Sequence, residues 1–325
     1  MMNRVNNLSF LSVLLVALFS ALFSALSVAQ HATAAEASAT ELTTNKTPDL
    51  MGTAWVKTLR QNDLVAGFLL LTAADQAQVS KQWQKQISRP DANADLQVDT
   101  FLRMAQEPNG TDQLIAMTAP YLGNIEPQTL AKQITDVAGI LTMAAGSQPP
   151  NAASTGLDYA GLRDWLKDLA AWVPKAGLTD QTKMKLAMTQ IVNAINLSGL
   201  HSAAEIRAMP LPVLLSRLGP ALPKLKEALA IFDVRVDALL DSLTFKLTNA
   251  TTEQALIAMN FTSLNKPRTI ALKFVQKDGS WELASGNDNP LTGLSQLVMM
   301  ALLMQGLGNT APALPPVAPV DDDAL

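Results

Sequence analysis

At Leu243 the hydrophobic period of this chain changes. Upstream, apolar residues recur every three or four positions; downstream they recur every second one, with Leu243, Phe245 and Leu247 alternating against Thr244, Lys246 and Thr248. A period near 3.6 stripes one face of a helix, whereas a period of two sorts side chains onto opposite faces of a strand. A helical part must therefore be joined to a sheet, and each has an apolar side to bury.

The helical part runs over 48–240. Leu130, Ile134, Val137, Leu141 and Ala144 form one stripe, and Tyr159, Leu162, Trp165, Leu166, Leu169 and Trp172 form the next. Leu186, Ile191, Ala194 and Ile195 suggest a third, less regularly spaced. Each predicts an amphipathic helix with one buried face. Thr72 with Asp75, and Ser202 with Glu205, have the spacing of capping boxes. Breakers at Arg89-Pro90, Asn109-Gly110, 146–150, Pro174, Gly199 and Gly219-Pro220 divide the region into about ten short helices. Connections this short favour antiparallel neighbours. No repeat of fixed period occurs, which argues against a solenoid.

Downstream, the segments LTFKLTN, EQALIAMNF, RTIALKFV and SWELAS are separated by turns at 249–252, 264–267 and 277–280. The last holds Asp278-Gly279, a strong hairpin signal between alternating runs. A four-stranded antiparallel meander is expected, with one wet face and one packed on helices. The fold class is thus α+β and mostly α: a multi-helix body at 48–240, then the meander and a last helix at 241–308. The pattern leaves open whether the two parts share one core. Over 234–285, a helical segment feeding strands that end in DGSWEL resembles the small cone-shaped α+β domains of the nuclear-transport-factor-2-like type. That resemblance implies a fold and carries no catalytic residue across. It also implies a long helix packed on a strongly curved sheet, and the sequence does not display both.

Both ends of the chain read differently from the middle. Arg4 precedes an uncharged apolar stretch at 8–28, and small residues follow at Ser27-Val28-Ala29 and Ala32-Thr33-Ala34. A charged start, an apolar run and small residues at a cut site describe a secretory signal peptide. The expected cuts fall before Gln30 or Ala35, giving a cleaved peptide at 1–29 and a small, polar, flexible leader at 30–47. The competing reading is an uncleaved inner-membrane anchor through 8–28. At the other end, 291–307 runs seventeen residues without a charge. Thr292, Ser295, Gln296 and Gln305 interrupt it, and it is slightly short for a span. A buried C-terminal helix is expected there, followed at 309–325 by a disordered, Pro-rich, acidic tail.

The 325-residue chain contains no cysteine, so a lipid-bearing cleavage site and disulfides are both excluded. Removing 1–29 takes away Arg4 and no acid, leaving 23 basic against 28 acidic residues, a net charge of −5. That balance gives no footprint for nucleic acid. The two histidines, His31 and His201, lie in the leader and just before the Ser202 cap, and neither has a catalytic or ligating partner nearby in sequence. No G-x-S-x-G elbow, P-loop, dinucleotide fingerprint or H-E-x-x-H motif occurs. Carboxylates remain. Asp158, Asp164 and Asp168 could line one helix face, but Arg163 and Lys167 are interleaved, which reads as a solvated charged face. Met299, Met300 and Met304 sit among aliphatic residues and read as core filling rather than soft copper ligands. No catalytic, cofactor-binding or metal residue is assigned. The expectation is an exported, periplasmic bacterial protein, without a transmembrane span once mature, that acts as a non-enzymatic binding or interaction module. Its partner would be an envelope protein or a small apolar ligand. The alternative is an exported hydrolase that uses carboxylates without a recognisable motif.

Overall fold

The computed structural model describes residues 47–71, 73–87, 92–122, 126–146, 159–277 and 280–283. The signal peptide expected at 1–29, the expected leader (Thr47 excepted), Thr72, the expected Asp278-Gly279 turn, the helix expected at 291–307 and the tail expected at 309–325 lie outside the described residues.

The described chain is mostly helical, with an antiparallel sheet at its end. Its first helices are α1 (Pro48–Arg60), α2 (Leu64–Leu69), α3 (Ala73–Ile87), α4 (Ala92–Gln106), α5 (Gly110–Leu122) and α6 (Pro127–Gly146). Then come α7 (Tyr159–Trp172), α8 (Gln181–Ser198), α9 (Ala203–Ala208), α10 (Leu211–Leu218), α11 (Leu222–Ala230) and α12 (Val236–Ser242). The boundaries follow local chemistry. Asp63 caps α2 by accepting from the Ala66 N–H at 2.8 Å, and Asp180 caps α8 by accepting from the N–H groups of Thr182 and Lys183. Gly199 ends α8 in the left-handed region at φ 59°, where glycine carries no Cβ penalty. Pro174 and Pro220 each sit in a single 3-10 turn, Val173–Lys175 and Gly219–Ala221, so they tighten a junction rather than open a loop.

The expected Ser202 capping box forms, shifted by one residue. Ser202 Oγ accepts from the Glu205 N–H, while the Glu205 carboxylate accepts from the His201 N–H instead of from Ser202. On α8 the buried stripe is Met184, Ala187, Met188, Ile191 and Val192, and Leu186 faces solvent. Methionine and alanine share that face with Ile191 and Val192, so Leu and Ile alone are irregularly spaced along it.

Three long strands, β1 (Thr244–Ala250), β2 (Gln254–Ser263) and β3 (Lys266–Lys277), form an antiparallel meander. A short run at Ser280–Leu283 lies antiparallel against the last residues of β3. Leu264 (φ 52°) and Asn265 (φ 62°) form the β2–β3 turn, the double left-handed geometry that matches strand twist in a two-residue hairpin. The register slips between Leu247 and Asn249, so β1 carries a bulge at Thr248. The helix that feeds β1 is only the seven-residue α12. The long helix implied by the nuclear-transport-factor-2-like resemblance is not in that position.

One face of the sheet is dry. Ala255, Ile257, Met259 and Phe261 of β2 and Ile270, Leu272 and Phe274 of β3 are buried against Val137, Ala138 and Leu141 of α6 and Leu162, Trp165 and Leu166 of α7. The other face presents Thr244, Lys246, Thr262 and Thr269 to solvent. A second core surrounds α8, and it takes Ala131 from α6 and Ala170 from α7. Both α6 and α7 therefore serve the two cores at once. Helical body and sheet are packed as one unit through them.

Candidate functional site

Two features stand out from this frame, one ionic and one apolar. The ionic feature is the seam where α7 meets the β2–β3 turn. Leu162, Trp165 and Leu166 turn one face of α7 into the core, which leaves Arg163, Asp164 and Lys167 on its outer side and Asp168 at the margin. Three links then fasten α7 to residues flanking the turn. Trp165 Nε1 donates to Ser263 Oγ at 2.9 Å, Lys266 Nζ donates to Asp168 at 2.6 Å, and Arg268 pairs with the same carboxylate. The Asp168 side chain is only 12% exposed. The expected solvated charged face is thus corrected at this position: Asp168 is turned inward and bound to two cations of β3. Asp158 lies outside the described residues.

The carboxylate that remains on the surface is Asp164. Its hydrogen bond from Arg163 holds its pKa below the usual carboxylate value against the opposing effect of desolvation, and the positive charges of Arg163, Lys167 and Arg268 add to the lowering. Hydrolysis by a carboxylate pair needs one acid whose pKa is raised so that it can deliver a proton near neutrality. Here the environment of Asp164 pushes the other way, and Asp168 is occupied in holding the sheet. The seam is built as a joint between α7 and β3.

His201 is exposed, and its Nδ1 lies 2.9 Å from Gln106 Nε2. Gln106 also donates to the Leu200 carbonyl. Arg217 donates to the Gly199 carbonyl and pairs with Glu205. These contacts tie the turn at 199–202 to α4 and α10. Among the described residues, no group of three or more His, Asp or Glu is arranged to hold a metal ion, and no helix is long and apolar enough to cross a membrane.

The apolar feature is formed by α2 and α10, which pack side by side. From Leu64 to Leu71 the sequence is LVAGFLLL, yet only Gly67 and Phe68 are buried. In α10, LPVLLSRL, only Leu214 is buried. Leu69 is 62% exposed and Val213 44% exposed. The contact between the two helices is close because Gly219, just past α10, leaves room for the Asn62 carbonyl; a Cβ there would meet that oxygen at 2.9 Å. α2 also packs on α1 and α10 on α8, with Leu214 in a cluster with Leu102, Leu200 and Met209, so Leu69 and Val213 are the large apolar side chains that these two helices leave exposed. An exposed apolar surface contributed by adjacent helices is a feature of interaction sites. The sequence signal was legible as two aliphatic runs, but nothing in their periodicity separated an exposed Leu69 from a buried Phe68.

No protein-family model matches this chain, and no curated protein or solved structure matches it either.

Proposed function

We propose that this protein is an exported, non-enzymatic binding module of the bacterial cell envelope, and that it contacts a partner protein through the α2–α10 face. The observation that carries this reading is the exposure of the apolar Leu69 and Val213 on two contacting helices, whose flanking segments meet closely at Gly219 and Asn62. Asp168, occupied by Lys266 and Arg268, and Asp164, whose pKa the Arg163 hydrogen bond holds below the usual carboxylate value, support binding over the carboxylate hydrolase, because Asp164 is not held protonated as a general acid would have to be. Export rests on the residue pattern of 1–29, which would be removed to leave a periplasmic chain starting at Gln30 or Ala35. In this reading the sheet is a four-stranded meander turning at Asp278-Gly279, and 291–307 is the last, buried helix of the fold.

The test is native mass spectrometry on the protein taken from its own envelope fraction, beside the Leu69→Lys, Val213→Lys double variant. Wild type should carry a bound protein and begin at Gln30 or Ala35. The double variant should lose that partner while keeping its melting temperature, since both side chains already stand in solvent. A partner retained by the double variant, or no partner on wild type, defeats the reading. An intact Met1 in the membrane pellet defeats export.

A further inference from the structure

We propose that the outer face of the sheet is a second docking surface, separate from the α2–α10 face, and that it takes an acidic amphipathic helix of a partner protein. The strands themselves set the charge. β1, β2 and β3 hold five basic residues, Lys246, Lys266, Arg268, Lys273 and Lys277, and no acidic one, in a chain whose net charge is −4. Lys266 and Arg268 are spent on Asp168. Lys246, exposed, and Lys273, half-buried, are not: neither has a hydrogen-bond or ion-pair partner among the described residues.

Register places both lysines on the side away from the helices. Ile257 and Met259 of β2 and Ile270, Leu272 and Phe274 of β3 point into the core, so the residues that alternate with them point outward. Lys246 stands opposite Ala258, which stands opposite Ala271; one step along, Lys273 stands opposite Leu256. Two strand spacings across and two residues along put the Cα atoms of the two lysines about 12 Å apart. The floor beside them is low and aliphatic: Ala258 and Ala271 are half-buried, and Leu256 is 39% exposed. At its margin the Thr269 hydroxyl donates to Asn260 Oδ1 at 2.7 Å, which leaves the amide N–H groups of Asn260 as further donors. The one acid that register adds is Glu282, opposite Val275 on the short run.

These features select the occupant. Two ammonium groups over an aliphatic floor match carboxylates beside aliphatic side chains, the pattern of an acidic amphipathic helix. Acids seven residues apart on such a helix are separated by ~10.5 Å along its axis, within reach of two long side chains rooted at that distance. Sheet faces pack against helices, as the dry face of this sheet does with α6 and α7. A nucleic acid needs more cations and aromatic platforms than this face carries, since Phe245, Phe261 and Phe274 all lie in or against the core. Two lysines without an inserted apolar group are too few to hold a chain at an anionic bilayer.

The probe is a fluorescein-labelled helical peptide with two glutamates seven residues apart and leucines on the same face, beside the same peptide with glutamines in their place. Anisotropy on the full-length protein should show the glutamate peptide binding about tenfold more tightly, a gap that closes as salt rises. Lys246→Gln with Lys273→Gln should abolish that gap at an unchanged melting temperature, because neither side chain has a partner to lose. Lys81→Gln with Lys175→Gln removes the same charge from exposed positions outside the sheet and should leave the gap intact. Equal binding of the two peptides, binding of neither, or a gap that survives Lys246→Gln with Lys273→Gln overturns the proposal. So does capture of phosphatidylglycerol vesicles through Lys246 and Lys273 without capture of the peptide, which would make a bilayer the occupant. Leu69 and Val213 take no part in this measurement, so the sheet face and the α2–α10 face can fail separately.

Discussion

Gly110 and Gly139 show how differently two glycines can sit in one fold. Gly110 opens α5 immediately after the turn at 107–109, and a Cβ there would lie 2.2 Å from the Met104 carbonyl oxygen. That neighbour is backbone at the end of α4 and cannot swing away. Gly110→Ala should therefore destabilise the protein by about 1–3 kcal/mol, the usual range for overpacking. Gly139 lies inside α6, exposed, with nothing within 4 Å of its Cβ position. Gly139→Ala should stabilise by about 0.5–1 kcal/mol through helix propensity alone. Urea unfolding of both variants checks the opposite signs. The sequence marked Asn109-Gly110 as a break between helices, but the reason for it, a backbone approach, is visible only in three dimensions. Asp164 gives a second expectation at this scale. Its folded pKa lies below the ordinary value of 3.8, so the fold favours its ionised form. The stability it adds is complete above the unfolded pKa and is lost as pH falls through the folded one. Between pH 5 and pH 2 the melting temperature of wild type should fall further than that of Asp164→Asn. Equal acid slopes would remove Arg163 as a partner of consequence.

Elements are joined here by a few ionic contacts, each with one largely buried partner, laid over apolar packing. Asp168 holds α7 to β3 through Lys266 and Arg268, and its burial makes this unlike a surface ion pair. Asp168→Asn leaves Arg268, itself 21% exposed, beside a neutral amide. Removing one partner of such a pair costs about 3–5 kcal/mol, against about 0–1 for exposed pairs such as Lys132–Asp136. The loss should appear as faster amide exchange in β3 near the Leu264-Asn265 turn, and Lys132→Gln should leave the same amides unchanged. Lys226 is a parallel case: it is only 9% exposed, and its ammonium donates to the Leu59 carbonyl at the end of α1 and to Asp237 of α12. Such links were not legible from sequence. The interleaving of Arg163, Asp164, Lys167 and Asp168 suggested a solvated face, and 98 residues separate Asp168 from Lys266. What was legible came from local physics. The change of period at Leu243 falls one residue before β1, and the Ser202 signal does cap α9. Of the stripes on α6 and α7, Val137, Leu141, Leu162, Trp165 and Leu166 are buried, while Leu130, Ile134, Leu169 and Trp172 are half-buried.

At the scale of the whole molecule, the open point is whether helical body and sheet melt together. Their interface is built from residues with nothing left in solvent: Leu141 of α6 is 1% exposed and Ile257 of β2 is 0% exposed, in the same cluster. The helices that supply that cluster also reach the second core, Ala131 from α6 and Ala170 from α7. A sheet with one dry face has no stable existence once that face is bare, and α6 and α7 would lose half of their packing with it. Loss of either side therefore removes the support of the other, which is the condition for a single cooperative transition. Ile257→Ala, a truncation at the centre of the sheet, should cost about 2–5 kcal/mol, since a buried aliphatic loses both its transfer energy and the atoms that filled the space. The decisive comparison is between probes. Far-ultraviolet dichroism reports mostly on the helices, whereas Trp165, bonded to Ser263 beside the β2–β3 turn, reports on the joint. In wild type and in Ile257→Ala the two signals should change at one denaturant concentration, lower in the variant. A variant that lost its Trp165 signal while the helical signal kept the wild-type midpoint would show that the sheet unfolds by itself, and the shared core would then not be what holds this chain together.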